Sequence, residues 1–421
     1  MKIAVIGSGI AGNVAAHRLH RAHDVTVYEA ADHVGGHTQT HSVEQGGRWH
    51  EVDTGFIVYN DRTYRSFAAL LAELGVASQA SSMSFSVRCD ATGLEYNGST
   101  LDSLFAQRRN LLRPSFLGMV RDILRFNRDA AGLVAGDGGD TTLGELLERG
   151  RYGRAFVEHY VVPMGAAIWS TDPAAMLDFP ARFFVRFLDN HGMLSVDDRP
   201  VWRTVRGGSA RYVEKLTAPF RNRVRLNTPV EWIRRPFGGV VVKARGHEPV
   251  RYDAAFVACH SDQALALLAD ASPTERAVLG AIRYQRNDAV LHTDTRLLPR
   301  RRRAWAAWNY HVSPGGEGVA LTYNMNILQR LDAPEPFLVT LNRADAVDPA
   351  RIVKRLVYHH PLFTRDGVAA QARHAEVNRG RRTYYCGAYW RNGFHEDGVV
   401  SALDAIGHFE ADLLADARRA A

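Results

Sequence analysis

The sequence predicts an α/β fold organised on a Rossmann-like strand–turn–helix–strand unit in its first forty residues. Three observations predict it. The apolar run Lys2 to Ile6 passes directly into Gly7-Ser8-Gly9-Ile10-Ala11-Gly12. The segment Asn13 to His20 then carries Val14, Ala15 and Leu19 at helical spacing. Val25 to Tyr28 returns as a second short strand, and Glu29 closes it.

Each part of this unit has a physical task. Gly7 permits a tight turn, Gly9 lets backbone approach a pyrophosphate, and Gly12 lets the helix lie close against the strand. The helix start at Ile10 and Ala11 offers unpaired N–H groups and a positive dipole end to phosphates. The Glu29 carboxylate is placed to accept the hydroxyls of an adenosine ribose. A dinucleotide site is therefore expected. At 421 residues the chain is too long for one compact core, so two lobes are expected as well.

Beyond Glu29, the pair Gly35-Gly36, followed by His37 and Thr38, allows a loop to lie against a cofactor. Glu51 to Val58 reads as a strand interrupted at Gly55, with Phe56 beyond it, and Arg65 to Leu74 as an amphipathic helix capped by Gly75. Phe85 to Arg88 and Leu94 to Tyr96 read as strands joined through Thr92-Gly93. Leu101 to Val134 is predicted helical with a break at Pro114, Gly136 to Asp140 a loop, and Thr141 to Glu148 the start of another helix. The apolar stretch Tyr160 to Ser170 belongs to a largely helical lobe that runs to about Pro200. Trp202 to Ser209 returns through a glycine pair to strands at Val224 to Leu226, Val230 to Ile233, Val240 to Lys243 and Tyr252 to Cys259. A helix, His260 to Leu268, leaves that sheet. A second excursion, Ser272 to Arg373, carries strands at Val290 to Thr293 and Gly318 to Tyr323. Tyr384 to Gly387 is the last strand, and Val399 to Arg418, with Gly398 at its start, the closing helix.

This order resembles the flavin-dependent amine oxidase and phytoene desaturase superfamily, a branch of the glutathione-reductase-like FAD proteins. Gly7, Gly9 and Gly12 match its pyrophosphate turn, Glu29 its ribose acid and Gly35-Gly36 its second glycine motif. The family usually carries arginine after that pair, where this chain has His37. The resemblance implies bound FAD, an FAD-binding domain of glutathione-reductase type from residues 1–80, 201–271 and 374–421, and a discontinuous α+β substrate-binding domain from 81–200 and 272–373. It assigns the backbone of Val230 to the adenine edge. Ile10, Ala11, His37, Thr38, Gly55, Phe56, Gly387 and Phe394 complete the implied cofactor-contacting set. The closing helix is expected to aim its N-terminus at the flavin pyrimidine, with the Val399 N–H facing flavin O2.

The remaining chemistry-bearing residues narrow the reaction. Eighteen histidines are scattered without ligand spacing, so no metal is expected. Cys89, Cys259 and Cys386 are isolated, which fits the cytoplasm. The four lysines, Lys2, Lys215, Lys243 and Lys354, fall outside the segments expected beside the flavin, which weakens an amine oxidase reading. Aromatic residues including Trp169, Trp202, Trp308, Tyr310 and Tyr323 suit either an ordinary core or an apolar cleft for an acyl or isoprenoid chain. Tyr389 and Trp390 are expected to wall that cleft, and His395 is the first candidate base, with fixing of the loop or the ribityl chain as its alternative role.

The stretch Phe56 to Asn60 and the ending Gly387 to Ala402 resemble a narrower bacterial group of FAD/NAD-binding oxidoreductases. These are commonly encoded beside cyclopropane-fatty-acid-synthase-like methyltransferases and include the desaturase of furan-fatty-acid synthesis. That resemblance implies a methylated, unsaturated fatty acyl substrate with an allylic C–H bond as hydride donor, and a functional link to a fatty-acyl methyltransferase. Amine oxidation, fatty acid double-bond isomerisation and a redox-sensing flavoprotein without turnover stay open beside it. The formal charge of +7 comes almost wholly from arginine. No nucleic-acid partner is expected. The tract Arg300 to Arg303, followed by Trp305 and Trp308, suits either a solvated loop or peripheral contact with an anionic membrane at its inner face. No apolar run is long enough to span one; Val161 to Trp169 is among the longest.

Overall fold

The computed structural model describes residues 1–135, 141–195, 199–312 and 320–420. The expected loop Gly136 to Asp140 and the start of the expected strand at Gly318 and Val319 lie outside these residues.

Five parallel strands form the central sheet in the order Val224–Arg225, Asp24–Tyr28, Lys2–Ile6, Ala254–Val257 and Thr383–Tyr385. Ile3, Ala4 and Val5 are fully buried, as expected where both faces of a parallel strand are covered by other layers. The chain leaves Lys2–Ile6 toward Asp24–Tyr28 on one side, while Ala254–Val257 flanks it on the other. The strand order thus reverses beside Gly7, the position at which open α/β sheets bind ligands. Helix Ile10–Leu19 follows the turn, and the closing helix His395–Ala420 packs against it. Glycines permit both approaches: a Cβ on Gly12 would stand 1.9 Å from the Gly7 carbonyl oxygen, and one on Gly398 2.5 Å from Ile10 Cγ2.

Tyr252 to Cys259, expected as one strand, is two. Val250–Tyr252 ends the antiparallel meander that begins with Val230–Arg234 and Val240–Ala244, and Ala254–Val257 enters the parallel sheet. Asp253 makes the break, and its carboxylate accepts the Lys2 N–H at 2.7 Å. A continuous β-prone run with no Gly or Pro hides such a change of sheet. The strand expected over Glu51 to Val58 ends at Asp53, because Arg48–Asp53 pairs with Thr40–Gln45 across a Gly46-Gly47 turn with φ of +61° and +73°.

A seven-stranded sheet takes Phe85–Cys89 and Leu94–Asn97 from a first excursion, residues 81–200, and five strands from residues 284–361. The two excursions join where Phe85–Cys89 runs parallel to Trp308–Val312, a strand within a stretch that sequence periodicity leaves unassigned. Helices from residues 101–190 cover this sheet, burying Phe116, Phe126, Phe156 and Phe184 against Val87, Tyr96 and Leu321. The long helical region is three pieces: Leu101–Leu104 with a Thr100–Ser103 capping box, a tight turn at Arg108–Leu112, and Pro114–Ala135. Pro114 starts the last piece, the one place where its missing N–H costs nothing. Among the described residues no helix is long and apolar enough to cross a membrane.

Candidate active site

A cavity of about 1260 Å³ runs from the N-terminal turn to the helical layer. It exceeds the range of roughly 300–1,000 Å³ usual for a single small ligand, so it has room for a cofactor and a substrate. At its sheet end the wall is Gly7, Ser8, Gly9, Ile10, Ala11 and Glu29. Ser8 is fully buried, and its N–H and Oγ donate to Glu29 Oε2 at 2.8 and 2.6 Å. The Ala31 N–H donates to Oε1 at 2.8 Å, which fixes the carboxylate on the wall. The helix after Gly9 has no side-chain cap, leaving first-turn N–H groups for an anion.

Gly35 and Gly36, with φ of +117° and +58°, bring the second glycine loop against this turn; a Cβ on Gly36 would approach Gly9 Cα to 3.0 Å. A Cβ on Gly9 itself meets nothing within 4 Å, so the free space there belongs to the cavity. The Thr228 N–H donates to the Glu29 carbonyl, and nearby Val230 also lines the wall. Ribose acid, uncapped helix start and open glycine turn together fit the adenosine diphosphate half of FAD.

Gly55, Phe56, Gly387, Tyr389, Phe394 and His395 wall the middle of the cavity. A Cβ on Gly55 would stand 2.0 Å from the His37 carbonyl oxygen, so only glycine allows this crossing of chains. The His395 ring stacks on Phe56 at 3.5 Å between centroids. Its Nε2 lies 2.9 Å from the Tyr212 hydroxyl and 3.0 Å from Thr38 Oγ1, which are themselves 2.6 Å apart. Burial holds its pKa well below the ordinary value, so the imidazole is neutral at pH 7.

Not every expected residue faces the cavity. Gly12 packs helix on strand, and Thr38 sits behind His395. Trp390 turns away from the wall, its ring 4.5 Å from that of His374. Val399 does not face the cavity either. The closing helix begins at His395, because the Asp397 carboxylate accepts the Phe394 N–H at 2.9 Å, and Val399 therefore lies buried in the second turn. Trp308 lines the cavity and Trp305 is half-buried, its Nε1 donating to the Pro299 carbonyl, so neither indole extends outward from the arginine tract.

Sequence reasoning missed two groups. One is the set His260, His359 and His360, gathered with Tyr358 and Tyr284 around the expected His37 on the wall. His37 stacks on Tyr358 at 5.1 Å and His260 on Tyr284 at 4.2 Å. Burial lowers His37 to about 4 and His260 and His360 to about 3, so these three are uncharged. His359 and His360 sit inside a strand, where their adjacency signals nothing. The other is Tyr212, for which the sequence offered no cue. Among the described residues no group of side chains has the arrangement to hold a metal ion.

The far arm of the cavity is apolar, walled by Met83, Tyr160, Met164, Ile168, Trp308 and Tyr323. Among the described wall residues the sole carboxylate is Glu29, the sole guanidinium Arg199, and there is no lysine.

The sequence profile of the family described as flavin containing amine oxidoreductase matches residues 10–297. The flavin-dependent L-tryptophan oxidase RebO of Lentzea aerocolonigenes is 49% identical over 47 residues, a match spanning 11% of this chain and 10% of that protein. Cyclohexylamine oxidase from Brevibacterium oxydans has a similar structure, with a TM-score of 0.69 at 16% identity, over 97% of this chain and 99% of that one. The CLA-producing fatty acid isomerase from P. acnes superposes with a TM-score of 0.67 at 17% identity, over 97% and 98% of the two chains. With its profile matched over more than half its length and its cavity fitted to FAD, the chain is an FAD-dependent oxidoreductase and belongs to the flavin containing amine oxidoreductase family.

Proposed function

We propose that the enzyme desaturates unsaturated fatty acyl chains, including methylated ones. The observation that carries this reading is the apolar arm. Its wall of Met, Ile, Trp and Tyr side chains matches an alkyl chain, and it offers no carboxylate to receive an ammonium group. A fatty acid isomerase of similar fold supports the compatibility of this architecture with acyl chains.

Bound FAD supplies a two-electron acceptor for an allylic C–H bond. The chain supplies the rest. The arm excludes water and aligns the alkyl chain with the middle of the cavity. Arg199, at the outer end, is placed to hold an acyl carboxylate or headgroup phosphate. His395, neutral and held by Thr38 and Tyr212, takes up the second hydrogen as a proton. The reading assigns the parallel-sheet segments to FAD and the two excursions to the substrate.

The test is expression with and without a fatty-acyl methyltransferase, followed by mass spectrometry of extracted lipids. Loss of two hydrogens from an acyl chain is expected. An unchanged mass with relocated unsaturation identifies an isomerase instead. Peroxide release dependent on an added amine, with lipids untouched, identifies an amine oxidase.

A further inference from the structure

One of the places where the cavity reaches solvent is walled by Gly98, Ser99, Arg199 and Val201, all exposed. Gly98 and Ser99 lead into Thr100, which caps helix Leu101–Leu104. Of fifteen large hydrophobic side chains exposed among the described residues, five lie in the short stretch that follows. They are Leu101 (76% exposed), Leu111 (50%), Leu112 (88%), Leu117 (44%) and Leu124 (56%). Scattered exposed leucines need no explanation, but a cluster beside a cavity mouth does.

Arginines share this surface. Along Pro114–Ala135, Phe116, Met119 and Phe126 face the core, while Leu117, Arg121, Leu124 and Arg128 line the exposed face at helical spacing. Asp102 pairs with Arg108 and lies 3.8 Å from Arg303. The Glu95 carboxylate accepts the N–H groups of Arg300 and Arg301 at 2.9 and 3.1 Å. These contacts pin the four-arginine tract beside Leu101, with all four guanidinium-bearing residues exposed.

We propose that this face docks on an anionic phospholipid bilayer. The leucines enter the acyl boundary, the arginines meet headgroup phosphates, and the cavity mouth is presented to the lipid. Charge complementarity selects the anionic leaflet, and interleaved leucines separate this surface from a nucleic-acid site, which has no use for them. The docking stands independently of the substrate; the purpose of the mouth rests on the acyl-chain reading above.

The test floats the full-length, FAD-loaded protein with vesicles of phosphatidylglycerol and phosphatidylcholine, and with phosphatidylcholine alone. Binding to the anionic vesicles only is expected. The L111S/L112S variant, with FAD absorbance and thermal midpoint as controls on folding, should bind about tenfold or more weakly, given the worth of a buried leucine. R300Q/R301Q/R302Q/R303Q should lose binding and its salt dependence. Absence of binding to anionic vesicles, or leucine-variant binding at wild-type affinity, overturns the proposal; the latter outcome marks mere charge attraction. An environment-sensitive probe on the V201C variant should shift to the blue on vesicles. An unshifted probe on fully bound protein overturns the orientation of the mouth.

Discussion

Gly9 and Gly12 stand three residues apart in one turn, yet substitution should separate their roles. A side chain at Gly9 projects into open cavity, whereas one at Gly12 collides with backbone at 1.9 Å. Gly9→Val is therefore expected to fold with near-normal circular dichroism and emerge colourless, and Gly12→Val to fail to fold. A yellow, fully loaded Gly9→Val protein contradicts the placement of the pyrophosphate. For His395, the expectation is that His395→Ala retains FAD and slows flavin reduction by the authentic substrate ~100-fold or more, the range for lost acid–base catalysis. Loss of FAD assigns the ring to cofactor binding, and normal reduction removes it from the mechanism. Gly7 and Gly12 were legible in the sequence because backbone sterics admit few other residues there, and Gly9 because a pyrophosphate needs the space its side chain would fill. Tyr212 was not, since a tyrosine on a helix looks the same whether its hydroxyl meets water or His395.

Helix and strand boundaries show what local sequence leaves out. The closing helix was legible from Val399 to Arg418, after Gly398. Its true start was not, because Asp397 reaches back to the Phe394 N–H and extends it to His395. A second tie holds three elements. Glu275, on helix Pro273–Ala281, meets Arg235 beyond the meander strand Val230–Arg234 and accepts from the Tyr385 hydroxyl on the outer parallel strand at 2.7 Å. Burial opposes the charge on Glu275, yet Arg235, the Ser272 N–H and Tyr385 hold its pKa at about 2. Arg235 also holds the Asp270 carboxylate at 2.8 Å, so removing Glu275 leaves the guanidinium one acid while taking an acceptor from the Tyr385 hydroxyl. Glu275→Ala should cost about 1–3 kcal/mol in urea unfolding. A cost under about 0.5 kcal/mol would show that Asp270 alone carries the tie.

At the scale of the molecule, the histidines that wall the cavity set the response to pH. His260 and His360 are lowered to about 3, and His37 and His191 to about 4, from an ordinary value of 6.5, with burial the main cause. Between those values the unfolded chain binds protons that the folded chain refuses. Their contribution to stability is complete above pH 6.5 and is lost as pH falls toward 4. Asp53 and Asp397, each raised to about 7 by burial, run oppositely, but they are outnumbered by these four histidines. The thermal midpoint should therefore fall from pH 7 to pH 5, with a shallower fall in H260Q/H360N; an equal slope in that variant shifts the cause elsewhere. The parallel sheet was legible from the glycine turn outward, while the histidine set was not, because it forms only when loop 30–40, helix Ser261–Leu267 and strand Ile352–Pro361 converge. That same separation along the chain has a consequence in time. Ile3 pairs with Val25 on one side and Ala254 on the other, so at ~5–20 residues per second the first strand waits roughly 10–50 s for this second neighbour on the ribosome. Until Thr383–Tyr385 and the loop before His395 have also emerged, a nascent chain has half a cradle for the flavin and an open sheet edge, which makes cofactor loading a late event in biosynthesis and leaves that edge for chaperones to guard.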